Sequence, residues 1–234
     1  MKIQDAVVLV TGANRGIGAA FARELLARGA RKVYAGARDP ASVTQAGVHA
    51  LRLDVNQPQD VAAAAAQAQD VTLVINNAGI AQLGGFLAAD GEEVARRMFE
   101  TNFFGVLRMA HAFAPILKAN GGGALLNVLS VASWVNGGEL AAYAASKSAA
   151  WSLTNALRSE LAPQKTQVLG LHMAYVDTDL TRGLEAPKSS PEEIVRRALD
   201  GLESGLDEVL ADDLTEQVKR GMTAARPSYL PQRA

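Results

Sequence analysis

The feature that most constrains this chain is an apolar run that breaks directly into a glycine turn. Val7-Val8-Leu9-Val10 has no polar alternation, so the strand it predicts must be covered on both faces. It runs into Thr11-Gly12-Ala13-Asn14-Arg15-Gly16-Ile17-Gly18, and a helical pattern opens at once. Similar runs recur: Ala6–Thr11, Arg31–Ala37, Val48–Leu53, Thr72–Asn76, Gly123–Ser130, Thr166–Met173 and Asp207–Leu210 read as strands. Helical patterns fall between them, at Gly16–Arg28, Gln59–Gln69, Gly91–Leu117, Ala142–Leu161 and Pro191–Leu202. Ser190 then Pro191 and Glu192-Glu193 make a strong start signal for the last. This alternation predicts an α/β fold: a doubly wound, parallel, Rossmann-type sheet of seven strands with helices on both faces. No linker or repeat interrupts it, so residues 1–234 read as a single domain.

Composition narrows the function by exclusion. There is no cysteine, which removes thiol nucleophiles, disulfides and Cys-ligated metals. The histidines His49, His111 and His172 are far apart, so no paired metal motif exists and no metal is expected. His172 reads as a hydrogen-bonded core residue with nothing to pair it. With 23 Lys+Arg against 24 Asp+Glu, nothing attracts nucleic acid or an anionic membrane. The opening apolar stretch, Ala6 to Val10, is shorter than the about 7–15 residues of a secretory core or the about 20 of a span. A cytoplasmic protein that neither enters nor binds a membrane is expected.

The glycine turn sits where open α/β sheets bind ligands, at the carboxyl end of a strand. Glycine lets backbone approach a phosphate, and the helix N-terminus offers free N–H groups. Read alone, a tight structural turn explains the pattern as well. Arg38, 20 positions after Gly18, stands where a dinucleotide site places an acid for a ribose hydroxyl or an arginine for a 2′-phosphate. Arg15 adds a second cation. Asp39 argues the other way, because it would reach the ribose if the turn shifted by one residue. The balance favours NADP(H) over NAD(H).

Tyr143 and Lys147 are four apart on a predicted helix and share a face. An ammonium beside a phenol favours the phenolate, so the Tyr143 pKa is expected below its ordinary value of about 10. Such a tyrosine can exchange a proton with a carbonyl or alcohol oxygen. Ser130, at a strand end, offers a hydroxyl to the same oxygen. A solvated Tyr–Lys pair and a plain strand-end serine are the simpler readings of either residue alone.

TGANRGIG at 11–18, NNAG at 76–79, Asn102 in TNFFG, Ser130 in NVLSVAS and the YAASK segment occur in order. Over about residues 5–180 they resemble the compact branch of the short-chain dehydrogenase/reductase family. The resemblance implies that Tyr143 donates the proton, Ser130 orients the carbonyl, Lys147 binds the nicotinamide ribose, and Asn102 holds a relay water. It implies cofactor contacts from Gly12, Asn14, Arg15, Gly16, Ile17 and Gly18. Further contacts would come from Arg38, from Asp54 and Val55 at the adenine, from Asn77, Ala78 and Gly79, and from Val176 and Thr178 at the carboxamide. One departure stands out: where the family shows Pro-Gly after the sixth strand, this chain has Met173-Ala174-Tyr175. That change is expected to alter the turn beside the nicotinamide.

The segment 179–205 is expected to cover a substrate, with Trp134, Val135, Leu140, Tyr175, Leu180 and Leu184 as an apolar wall suited to a hydrophobic aldehyde or ketone. The helix carrying Tyr143 is apolar on more than one face, and the resemblance implies a homodimer or homotetramer. The tail 226–231 is expected to pack on a neighbour or stay disordered. Three activities fit: carbonyl reduction, a catalytically silent NADP(H) sensor, or a dehydratase or epimerase that consumes no net cofactor.

Overall fold

The structure is a computed structural model that describes residues 1–230; Pro231, the end of the tail just named, lies outside the described residues. Seven parallel strands form one sheet in the order 3-2-1-4-5-6-7. They are β1 Val7–Thr11, β2 Lys32–Ala37, β3 His49–Arg52, β4 Leu73–Asn76, β5 Ala124–Val128, β6 Gln167–His172 and β7 Glu208–Leu210. The strand order reverses between β1 and β4, which pair Val8 with Leu73 and Val10 with Ile75. That reversal opens the crevice at the carboxyl ends of the sheet.

The helices are α1 Gly16–Ala27, α2 Pro58–Gln67, α3 Gly91–Phe99, α4 Gly105–Ala119, α5 Ala141–Leu161, α6 Pro191–Glu203 and α7 Asp213–Gly221. Strand period two splits the core in half. Val8 and Val10 of β1 point into one layer with Phe21, Leu25, Ile194 and Leu199 of α1 and α6. Val7 and Leu9 point into the other, with Val61, Met109, Phe113 and Leu157 of α2, α4 and α5. All five residues of β1 are buried, as an unalternated apolar strand requires. Each large side chain in these layers contributes roughly 1.5–3 kcal/mol by leaving water.

Three expectations need correction. The helix expected over Gly91–Leu117 is three pieces: α3, a π-helical turn Glu100–Phe104, and α4. Periodicity does not register one inserted residue, because the apolar stripe resumes on the same face. The C-terminal helix α7 was not foreseen, since only Thr215 in it is buried and it has no apolar stripe. Its cap is nonetheless written in the sequence: Asp212 accepts the Thr215 N–H at 2.8 Å. Finally, most of the segment 179–205 is not a cover. Residues Pro191–Glu203 form α6, whose Ile194, Val195, Ala198, Leu199 and Leu202 are fully buried in the core. Among the described residues no helix is long and apolar enough to cross a membrane.

Candidate active site

The crevice begins with the β1 turn. Gly12 and Gly16 adopt φ +64° and +53°, and a Cβ on Gly18 would stand 2.1 Å from the Gly12 carbonyl oxygen. The turn therefore needs glycine for conformation and for close approach. Thr11 and Asn77 hold it from below. Thr11 Oγ1 accepts the N–H groups of Asn77 and Ala78 at 3.0 and 2.9 Å. Asn77 Nδ2 donates to the carbonyls of Thr11 and Gly12 at 2.9 and 3.2 Å. Asn77 thus shapes the cradle with its side chain, a role the motif alone does not reveal. The result is a backbone concavity at the N-terminus of α1, with Asn14 and Ile17 partly exposed on it, that fits a pyrophosphate.

At the end of β2, Arg38 is exposed and has no charged partner among the described residues. Asp39, the competing residue, is already engaged: its carboxylate accepts the Ala41 N–H at 3.0 Å and starts the turn Pro40–Ser42. Arg15 pairs with Asp179 at 3.1 Å on the rim. After β3, Asp54 accepts the Asn56 N–H at 3.0 Å. Val55 is buried against Gly105, and its carbonyl accepts from Arg108 at 3.2 Å.

The groups expected to react converge at the ends of β4 and β5. Ser130 follows β5 in extended backbone and caps the turn Val131–Ser133, its Oγ accepting the Ala132 N–H at 3.1 Å. Its hydroxyl proton is left to donate. Lys147 is buried, with Nζ donating to the Val128 carbonyl at 2.8 Å and lying 5.9 Å from the centre of the Tyr143 ring. A Cβ on Gly79 would meet Asn102 Oδ1 at 3.3 Å and Lys147 Nζ at 3.6 Å, so Gly79 is the gap through which these residues approach. Asn102 sits in the π-helical turn. Its Oδ1 accepts the Ile80 N–H at 2.9 Å, and its Nδ2 donates to the Ile80 carbonyl and to Ser146 Oγ, each at 2.9 Å. Ser146 donates to the Tyr143 carbonyl at 2.7 Å. The Asn102 amide is thereby spent on tying the β4 loop to the tyrosine helix, and a relay water would have to sit on its main chain.

The expected direction of the tyrosine pKa is corrected. Burial pushes the Tyr143 phenol above its ordinary value, and the neighbouring Ser130 hydroxyl only partly offsets this. Burial also lowers Lys147 to about 8, because its charge is held in a dry site with a neutral carbonyl partner. Desolvation thus outweighs the effect of the nearby ammonium, a balance that spacing along a helix cannot report. Beneath the site, Asn76 donates to Asn127 at 2.8 Å and Asn127 to Thr154 at 2.9 Å, a buried polar ladder joining β4, β5 and α5 that the sequence reading missed.

The turn after β6 keeps its place without Pro-Gly. Asp212 Oδ2 accepts the Ala174 N–H at 2.7 Å, and Met173 accepts the Val131 N–H at 2.8 Å. Val176 bridges to Ser189, closing the intervening loop. Thr178 caps the turn Asp179–Thr181 and packs its methyl group beside Gly16. Of the apolar wall, Tyr175, Leu180 and Leu184 are 38%, 55% and 39% exposed around this loop, and Val135 and Leu140 are half-buried across from it. Trp134 does not belong with them. Its ring is buried, stacked on His172 at 4.0 Å, with Lys219 Nζ 4.4 Å from its centre. His172 likewise has the partner it was expected to lack: Glu208 Oε1 lies 3.3 Å from its Nε2.

Residues 6–189 match the family model described as short chain dehydrogenase. The chain is 35% identical to galactitol 2-dehydrogenase (L-tagatose-forming) of Cereibacter sphaeroides over 77% of its own length and 75% of that protein's. Its fold superimposes with a TM-score of 0.93, at 41% identity, on a short chain dehydrogenase from Burkholderia cenocepacia J2315 in complex with NADP, covering 97% of this chain and 96% of the other. It also superimposes, with a TM-score of 0.81 at 28% identity, on a 3-ketoacyl-(acyl-carrier-protein) reductase from Brucella melitensis complexed with NADH, covering 91% and 98%. Together with the glycine cradle and the ordered Asn102, Ser130, Tyr143 and Lys147, these matches make the chain a member of the short-chain dehydrogenase family.

Proposed function

We propose that this protein is an NADPH-dependent reductase of apolar aldehydes or ketones, reversible as an alcohol dehydrogenase, in which Tyr143 delivers the proton. The observation that carries the reading is geometric: Ser130 and the buried Lys147 flank the Tyr143 phenol, with Lys147 Nζ 5.9 Å from its ring centre, where a proton can pass to a carbonyl oxygen. A nicotinamide dinucleotide, when bound, supplies the hydride. Ser130, whose hydroxyl is hydrogen-bonded to the Tyr143 phenol, donates to the substrate oxygen and sets its direction. Lys147 lies close enough to stabilise the phenolate left behind, and Asn102 keeps the β4 loop and α5 in register around it.

Related proteins carry either NADP or NADH, so the choice rests on this chain's own charges. Among the described residues Arg38 has no charged partner while Asp39 is held in a local cap, which supports recognition of a 2′-phosphate. Tyr175, Leu180 and Leu184 offer the open apolar rim for a hydrophobic substrate. Phe104 and Leu107, exposed at and after the π-helical turn, support a homodimer or homotetramer.

The test is NADPH oxidation against a panel of aldehydes and ketones. Turnover is expected, and Tyr143→Phe should lower kcat roughly 10²–10⁴-fold with NADPH affinity little changed. Tight NADPH binding with no turnover on any substrate would make the protein a sensor. Product formed from trace NADPH without net oxidation would make it a dehydratase or epimerase.

A further inference from the structure

The C-terminal helix is joined to the catalytic serine by a stack of side chains that carbonyl reduction as described does not use. His172, the last residue of β6, is fully buried. Its Nδ1 lies 3.0 Å from the main-chain carbonyl oxygen of Ser130. A carbonyl oxygen only accepts, so Nδ1 carries the proton and donates it. The ring is confined on its other sides. Trp134 stacks over it at 4.0 Å with 20° between the planes. Glu208 Oε1 sits 3.3 Å from Nε2, close but not in line for a full hydrogen bond. Glu208 Oε2 accepts from Lys219 Nζ of α7 at 2.8 Å. Lys219 in turn lies 4.4 Å from the centre of the Trp134 ring and 5.8 Å from that of Trp151 on α5.

Ser130 can present its hydroxyl usefully only if its own peptide plane is held, since Oγ also caps the turn that follows. Two donors hold that plane through the Ser130 carbonyl: the Ser133 N–H, at 3.0 Å, which belongs to the local turn, and His172 Nδ1, which ties the turn to β6. We propose that His172 is a positioning residue for Ser130, and that Glu208 and Lys219 hold His172 in turn, so that α7 keeps the catalytic hydroxyl in place. This rests on the reading of Ser130 given above. The Glu208 carboxyl is drawn down to about 2, first by the adjacent His172 ring and then by Lys219.

The experiment is a double-mutant cycle on the folded enzyme, read as single-turnover hydride transfer from NADPH to a ketone. The variants are Ser130→Ala, His172→Phe, His172→Asn and the Ser130→Ala/His172→Phe pair, with NADPH Kd measured for each. His172→Phe keeps a ring beneath Trp134 but loses the donor, and should lower the rate roughly 10- to 100-fold with NADPH Kd unchanged. His172→Asn retains an N–H for the Ser130 carbonyl and should recover most of the loss. In the Ser130→Ala background His172→Phe should cost nothing further, which a general packing role would not produce. A His172→Phe rate within twofold of the parent, or the same loss repeated without the serine hydroxyl, would overturn the proposal. If His172→Phe does not fold, Lys219→Met decides: a smaller loss of rate at unchanged NADPH Kd supports it, and a full rate refutes it. Ser130→Ala at full rate would instead bring down the assignment of Ser130 itself.

Discussion

At the scale of single residues, burial sets the chemistry of this site more than sequence neighbours do. Lys147 titrates near 8 in the folded chain against 10.5 ordinarily. Between those values the unfolded chain holds the extra proton, so stability should rise as pH increases from 8 to above 10.5, and the full cost of about 3 kcal/mol applies below 8. Urea melts at pH 7.5 and 10 should show this rise, and Lys147→Met should remove it. Arg38→Asp should weaken NADPH binding at least tenfold while leaving NADH binding equal or better, measured by fluorescence titration; equal losses for both would show that Arg38 does not meet a 2′-phosphate. That Ser130, Tyr143 and Lys147 would come together was legible from their order and spacing. The direction of the tyrosine pKa was not, because desolvation depends on what the other elements lay over the helix.

At the scale of elements, two pieces carry the site beyond the regular sheet. The π-helical turn Glu100–Phe104 delivers Asn102 to the Ile80 loop, and α4 then starts at a glycine pressed against the β3 loop. A Cβ at Gly105 would stand 2.8 Å from Val55 Cγ2, so Gly105→Ala should cost roughly 1–3 kcal/mol in denaturant melts by forcing the helix away. The other piece is β7 with α7. Glu208 is depressed to about 2, so its contribution is complete above 4.5 and is lost as pH falls towards 2. Acid unfolding of Glu208→Gln should lack that loss, and hydrogen exchange of α7 should report it locally. The caps of α6 and α7 could be read from Ser190 and Asp212, since capping is local chemistry. The π turn was not read from the sequence, where the apolar spacing runs on through it.

At the scale of the whole molecule, the sheet divides its core between α1 and α6 on one side and α2, α4 and α5 on the other. Phe113 is fully buried in the second half, so Phe113→Ala should cost about 3–5 kcal/mol and lower Tm by several degrees in calorimetry. Light scattering should give the mass of a dimer or tetramer, and Leu107→Glu should shift it towards the monomer if that face is shared. The sequence by itself determined the strands' raw material, the glycine cradle, the Ser190 cap and the order of Asn102, Ser130, Tyr143 and Lys147, because unalternated apolar strands, positive-φ glycines, caps and i,i+4 pairs are local properties of the chain. Only the tertiary structure decided that Trp134 is buried against His172, that Asp212 supports the turn lacking Pro-Gly, and that burial raises the Tyr143 pKa. Each of these depends on groups distant in sequence meeting in a dry interior, where the missing solvent sets the energy.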